Sequence, residues 1–325
     1  PWEKRIKEEC EFVRDEVGVL DLPGFARFNI SGQGCAGWID KLITGSLPKV
    51  GRMNLAYFAD HRGRVITEMS LIRYDEDEFV LITAASAQWH DYELLKRSLP
   101  TDESISIKDI TADYSTLIVT GPKSRKCLKN FVVADFELPW LSVQGGKVGA
   151  EDITLIRVSF AGEMGWEIHA ERNALPAIYE SVLENGAKPF GMFALNSLRI
   201  EKGYKSWKGD LSSDYSVLET GLERFINFGK EIDFPGKSAI LIEQQSGVKK
   251  NSVSLILDKS DYDAPYMATL WKDNKIVGEV TSSAWGYRVG KSIALAMISK
   301  EFSISNTEVE VEIYGKRVRA VVQPD

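Results

Sequence analysis

Between Met53 and Thr83 three apolar runs, Met53–Ala59, Val65–Tyr74 and Phe79–Thr83, are divided only by Asp60-His61-Arg62-Gly63 and Asp75-Glu76-Asp77-Glu78. Connections this short join antiparallel neighbours, because a parallel crossover needs about a dozen residues or more. The segment therefore reads as an antiparallel meander with charged and glycine-bearing turns. Around it, residues 3–16 place Ile6, Phe12 and Val13 among charges and suit an amphipathic helix. Phe25–Ile30 alternates like a strand, Gly32-Gln33-Gly34 turns the chain, and a helix fits Ala36–Ile43.

Residues 85–98 are helical in pattern, Ile105–Thr111 and Ser115–Thr120 read as strands, and Gly121-Pro122 opens another helix. Ile153–Ser159 and Trp166–Ala170 are the arms of a second hairpin across Gly162-Glu163-Met164-Gly165, with helices near 174–185 and 191–201. After about residue 245 the chain turns to short strands: Val253–Leu257, Ala268–Trp271, Lys275–Thr281, Ile293–Ile298, Val309–Ile313 and Arg317–Val322. Their spacing predicts a small barrel or sandwich. A boundary in Gln244-Gln245-Ser246-Gly247 gives regions 1–243 and 244–325, in line with a chain of 325 residues holding more than one unit. The fold class is α+β.

A net charge of -7, with basic residues scattered, argues against a nucleic-acid surface. No run of about 18 apolar residues predicts a membrane span. Cys10, Cys35 and Cys127 are odd in number and far apart, which fits a reducing compartment, either the cytoplasm or, in a eukaryote, the mitochondrial matrix. The start, Pro1-Trp2-Glu3-Lys4, carries neither an initiator Met nor a signal-peptide pattern and reads as trimmed, which leaves an upstream domain open.

Two motifs fail on context. Gly32-Gln33-Gly34-Cys35-Ala36-Gly37 spells G-x-G-x-x-G, but a hairpin follows it rather than a second parallel strand with an acidic end, so the glycines read as turn formers. Gly290-Lys291-Ser292 resembles the tail of a phosphate loop, yet Trp285 stands where the leading glycine belongs. His61, His90 and His169 lack zinc-ligand spacing.

Three segments have a more particular texture. They are Asn54–Met69, which contains Thr67-Glu68; Val158–His169, which contains Gly162-Glu163-Met164-Gly165-Trp166-Glu167; and Ala194–Trp207, which contains Glu201-Lys202-Gly203-Tyr204 and continues to Pro235-Gly236-Lys237. With the closing Trp285-Gly286-Tyr287-Arg288-Val289-Gly290-Lys291-Ser292, they resemble the aminomethyltransferase family: the T-protein of the glycine cleavage system and the folate domains of dimethylglycine and sarcosine dehydrogenases. Gly-Glu-x-Gly-Trp-Glu and Glu-Lys-Gly-Tyr-x-x-Trp point to the dehydrogenase branch.

The resemblance implies a three-lobed fold with antiparallel sheets, a second lobe over roughly 50–120, a C-terminal small β-barrel, and tetrahydrofolate in a central channel. A pterin ring offers an amino group and a ring N–H side by side, a fork that a carboxylate accepts as paired, directional bonds. Glu167 matches the family's pterin-binding Glu, and His169 two residues on belongs to the same cofactor-binding set. Phe160 stands where relatives carry Tyr, so it can pack on the pterin without the hydroxyl. Glu68 is the expected catalytic carboxylate, placed to orient the folate nitrogen and take its proton. Tyr204 and Trp207 are candidates for an aromatic wall, and Arg224 and Arg288 for cations to hold the glutamate tail, with core packing or turn capping as the plain alternatives.

The implied activity is capture of the one-carbon unit of an N-methyl amine, such as dimethylglycine or sarcosine, as 5,10-methylenetetrahydrofolate. A flavin dehydrogenase domain or subunit is the implied partner. A free-standing relative that demethylates a sulfonium such as dimethylsulfoniopropionate is the rival reading. An iron–sulfur assembly role is disfavoured, because its members carry Cys after Lys-Gly where this chain has Tyr204.

Overall fold

The meander is present as Arg52–Ala59, Val65–Asp75 and Glu78–Ala84 in the computed structural model, which describes residues 2–102, 104–258 and 262–324. Pro1 of the expected trimmed start lies outside them. At the first turn the Asp60 carboxylate accepts the backbone N–H groups of Arg62 and Arg64, both at 2.9 Å, which closes the loop from within. The chain divides into two units. One holds the chain up to Tyr57, Glu68–Gly191 and Lys230–Phe234; the other holds Phe58–Thr67, Met192–Gly229 and the chain from Pro235 onward.

The first unit contains one whole sheet and most of another. The five-stranded one runs Arg52–Ala59, Val65–Asp75, Glu78–Ala84, Phe25–Ser31, Ser106–Asp109. The seven-stranded one runs Lys188–Pro189, Gly18–Asp21, Tyr114–Thr120, Gly165–Glu171, Glu151–Ile156, Val143–Val148, Val132–Val133. The sheet carrying most of the 50–120 segment thus also takes Phe25–Ser31, while Tyr114–Thr120 pairs in the other sheet between Gly18–Asp21 and Gly165–Glu171. The seven-stranded sheet packs one face into an apolar core that includes Leu117, Leu155, Trp166, Ile168, Ile178 and Val182. The fully buried Trp166 meets Phe136 edge-on, ring centroids 5.6 Å apart.

Gly32 and Gly34 shape a turn into the helix Cys35–Leu42. At Gly32 φ is 122°, and a Cβ there would stand 2.1 Å from the Ser104 carbonyl oxygen, so no other residue fits. This is backbone crowding inside the fold, the turn-forming reading of the glycine motif.

In the second unit the six C-terminal strands close into a barrel, in the order Lys250–Leu257, Lys291–Ser299, Lys275–Gly286, Thr269–Lys272, Glu308–Ile313, Lys316–Val322. Closure decides barrel over sandwich. Two of its hairpins turn on residue pairs with positive φ, Asp273-Asn274 (50° and 62°) and Tyr314-Gly315 (49° and 78°), the geometry that suits the right-handed twist of paired strands. A Cβ on Gly278 would lie 2.2 Å from the Met297 carbonyl oxygen, so glycine permits the close strand approach there.

Three departures from the sequence reading have local causes. Val143–Val148 is a strand although Gly145 and Gly146 interrupt its apolar alternation. The helix Lys237–Ser246 buries only Ile240 and has no side-chain N-cap, so little amphipathic signal marks it, and Gln244-Gln245-Ser246 is its last turn. The hairpin arm expected over Ile153–Ser159 stops at Ile156, leaving residues 157–164 as the loop before Gly165.

One buried ion pair organises the second unit. Asp210 accepts Arg199 Nη1 at 2.7 Å, the Ser206 N–H at 2.9 Å and the hydroxyls of Thr281 and Ser282 at 2.6 and 2.5 Å. It thereby fastens the loop after the helix Met192–Ile200 to the barrel strand Lys275–Gly286. Replacing Asp210 with Ala strands the Arg199 charge indoors, and the expected loss is about 3–5 kcal/mol in denaturant unfolding. A loss under about 1 kcal/mol would mean that water repairs the site.

Candidate functional site

Pleating sorts the residues of Gly165–Glu171. Trp166, Ile168 and Ala170 enter the apolar core, so Glu167 and His169 emerge together on the opposite face. Antiparallel register against Tyr114–Thr120 then sets Thr116 directly across from His169. His169 Nε2 lies 2.9 Å from Glu167 Oε2, and His169 Nδ1 lies 3.1 Å from the Thr116 hydroxyl. The Glu167 side chain keeps only 15% of its surface exposed, and among the described residues no hydrogen bond reaches its other oxygen, Oε1.

Arg27 crosses to this face from the neighbouring sheet strand Phe25–Ser31. Its Nη2 donates to Thr116 Oγ1 at 2.5 Å, and Nη1 donates to the carbonyl oxygens of Phe25 and Tyr114 at 3.1 and 3.2 Å. Its buried Nε has no hydrogen-bond partner among the described residues. Burial pulls its pKa down to about 10, while the Glu167 charge pulls it up and that of Arg172 pulls it further down.

The contacts suit one arrangement of protons. Thr116 Oγ1 accepts from Arg27, so its single proton is available to His169 Nδ1. An ionised Glu167 can only accept, so its contact with His169 suits the imidazole tautomer that carries a proton on Nε2.

Glu68 lies on the strand Val65–Asp75, where Val65, Thr67, Met69 and Leu71 are buried and Ile66, Glu68 and Ser70 share the other face. Part of Glu68 can still be reached by solvent, but the protein packed around the carboxyl governs its charge. Burial pushes its pKa up to about 7, and a hydrogen bond from the Tyr57 hydroxyl opposes that rise. Among the described residues no hydrogen bond or ion pair joins Glu68 to Glu167. Phe160 is half-buried in the loop between the arms of the second hairpin.

The other expected residues belong to the second unit. Tyr204 is 38% exposed, with its carbonyl oxygen accepting Arg199 Nη1 at 2.8 Å. Trp207 is half-buried, with a shielded indole N–H that has no hydrogen-bond partner among the described residues. Arg224 is exposed and rests its guanidinium over the Phe225 ring at 4.8 Å. Arg288 is exposed, and its backbone N–H donates to Glu201 Oε1 at 2.8 Å.

Sequence reasoning missed Arg27, Thr116 and Tyr57. The one signal for Arg27 was its place as a lone cation between Ala26 and Phe28, which neither periodicity nor motif singles out, and Tyr57 lies in the first textured segment. Thr116 carried no signal, since only register places it against His169.

Comparison with known proteins accounts for nearly the whole chain. Residues 1–230 match the GCVT N-terminal domain, and residues 250–325 match the glycine cleavage T-protein C-terminal barrel domain. Mitochondrial dimethylglycine dehydrogenase of Rattus norvegicus is 33% identical over 99% of this chain, which spans 38% of that protein's length. An aminomethyltransferase of Listeria monocytogenes is 26% identical over 98% of this chain and 88% of its own. The crystal structure of aminomethyltransferase T from Bartonella henselae shares the fold, with a TM-score of 0.88 at 20% identity, over 98% of this chain and 88% of that one. The chain belongs to the aminomethyltransferase family, the folate-dependent transferases typified by the glycine cleavage T-protein.

Proposed function

We propose that this chain accepts a one-carbon unit onto tetrahydrofolate from an N-methyl amine of the dimethylglycine or sarcosine type, giving 5,10-methylenetetrahydrofolate. The observation that carries the reading is Glu68, a carboxyl raised to about 7 with a hydroxyl as partner. A group of that pKa exchanges protons readily at neutral pH. Likeness to dimethylglycine dehydrogenase over 99% of the chain supports the choice of donor. A flavin-dependent dehydrogenase domain or subunit, which would produce the iminium carbon, is part of the same proposal.

The residues fit the cofactor. Glu167 offers a shielded carboxylate with an oxygen still open, which suits the forked donors of a pterin. When bound, tetrahydrofolate supplies the nucleophilic nitrogen. Ionised Glu68 takes up the proton released on its carboxylate oxygen, and the Tyr57 hydroxyl steadies that oxygen. Phe160 offers a ring face beside Glu167's strand. Tyr204 and Trp207 are assigned to aromatic contact, and Arg224 and Arg288 to a carboxylate tail. Region 244–325 is proposed as a module distinct from 1–243.

The Glu68 assignment predicts a pH profile. The ionised form predominates above pH 7, so methylenetetrahydrofolate formation from dimethylglycine with its dehydrogenase should rise through about pH 7. Glu68→Gln should lower kcat by about a hundredfold or more and flatten that limb. A profile unaffected by the substitution, or methyltetrahydrofolate formed from a sulfonium donor instead, overturns the reading.

Stability should move the other way. The folded pKa lies above the model-peptide value of 4.5, so the native state holds this proton more tightly than the unfolded chain does. The stability it brings is complete below about 4.5 and is lost as pH rises through about 7. Glu68→Gln should therefore be more stable than the wild type at pH 8 by about 1–2 kcal/mol, partial exposure trimming the gain, with the difference vanishing near pH 4. Equal thermal unfolding at both pH values would contradict it.

A further inference from the structure

Among the described residues, the Arg27 guanidinium has no carboxylate on its own nitrogens. Arg27 is 2% exposed, and among the described residues its guanidinium hydrogen-bonds two carbonyl oxygens and the Thr116 hydroxyl. Thr116 and His169 are buried as well. The carboxylate whose charge reaches Arg27 is Glu167, two side chains further on. Burying an unpaired cation is costly, so a fold that retains one gains something by it or compensates for it through neighbours.

We infer that Arg27, Thr116 and His169 form a positioning chain that aims Glu167 at the forked donor of a pterin-type ring. The inference rests on the reading of Glu167 given above. Each link has a defined direction. Arg27 can only donate, so it claims a lone pair of Thr116 and leaves the hydroxyl proton for His169 Nδ1. His169 then presents Nε2–H to Glu167 Oε2 and holds the carboxylate at one rotation, with Oε1 left for the ligand. Without the Thr116 proton the imidazole is free to move its own proton to Nδ1. Nε2 would then face Oε2 as two acceptors, and the carboxylate would turn away. None of the three side chains needs to touch the ligand, so their role is orientation.

The chain is testable on the full-length protein by two independent readouts. Long-range proton–nitrogen NMR at neutral pH should find His169 in the Nε2–H form, and Thr116→Val should convert it to a mixture, whereas Thr116→Ser should not. Titration calorimetry with reduced tetrahydrofolate should give binding about tenfold weaker for Thr116→Val and His169→Leu, the loss expected for one hydrogen bond to a charged group. His169→Gln, which can accept from Thr116 and donate to Glu167, should recover most of that loss. A space-filling role would make Leu as good as Gln.

The proposal is overturned if wild-type His169 carries its proton on Nδ1, or if folded Thr116→Val and His169→Leu proteins bind like the wild type. Should Thr116→Val fail to fold, His169→Leu against His169→Gln carries the same comparison. Failure of the wild type itself to bind tetrahydrofolate, or binding unaffected by Glu167→Gln, would fault the ligand reading, and the tautomer measurement would still judge the chain.

Discussion

Period-two pleating of Gly165–Glu171 is the constraint from which the polar face of the first unit follows. Trp166, Ile168 and Ala170 are locked into an apolar core from which only a large cost could remove them. A slip of one residue would carry the indole to the polar face and drive Glu167 and His169 inward. Burial of Trp166 therefore does two things: it stabilises the sheet, and it sets the direction of the carboxylate beside it. The same register puts Thr116 across from His169, so a hydrophobic core determines a polar contact on its far side.

Arg27 adds a constraint between sheets. Its backbone is tied into the five-stranded sheet, where its N–H donates to Thr111 Oγ1 and its carbonyl accepts the Ile110 N–H, both at 2.9 Å. Its guanidinium ends on Thr116 of the seven-stranded sheet. A buried guanidinium tolerates little displacement, since each donor that loses its acceptor is left dry. The two sheets of this unit are thereby pinned at the level of Glu167, where looseness would blur the position of the carboxylate.

How much of this could be read beforehand depended on whether the signal was periodic. All six barrel strands, the meander and the hairpin around Gly162–Gly165 were legible, because half-buried strands alternate and their turns carry glycine or charge. Val143–Val148 was not, since its Gly145-Gly146 pair gives no apolar beat, and neither was Lys237–Ser246, which buries one side chain only. Glu167 and Glu68 were found through motif resemblance, not through periodicity. Arg27 and Thr116 escaped both routes: their meaning comes from register and from a contact between residues 89 positions apart.

The environments of Glu68 and Glu167 differ in a way that suits different tasks. Glu68 sits in protein dense enough to hold its proton up to about pH 7, with one neutral hydroxyl for company. Such a carboxyl has little to prevent it gaining or losing a proton, which is what a general base needs. Glu167 meets an imidazole nitrogen at 2.9 Å whose other ring nitrogen meets the Thr116 hydroxyl, with a buried cation further along. That arrangement resists rotation and suits an acceptor that must keep a fixed aim. One carboxylate is arranged to change state and the other to keep its position. The proposed reaction, in which a planar heterocycle is gripped and a proton collected from it, calls for one of each, and exchanging their surroundings would spoil both proposed roles while leaving two glutamates in place.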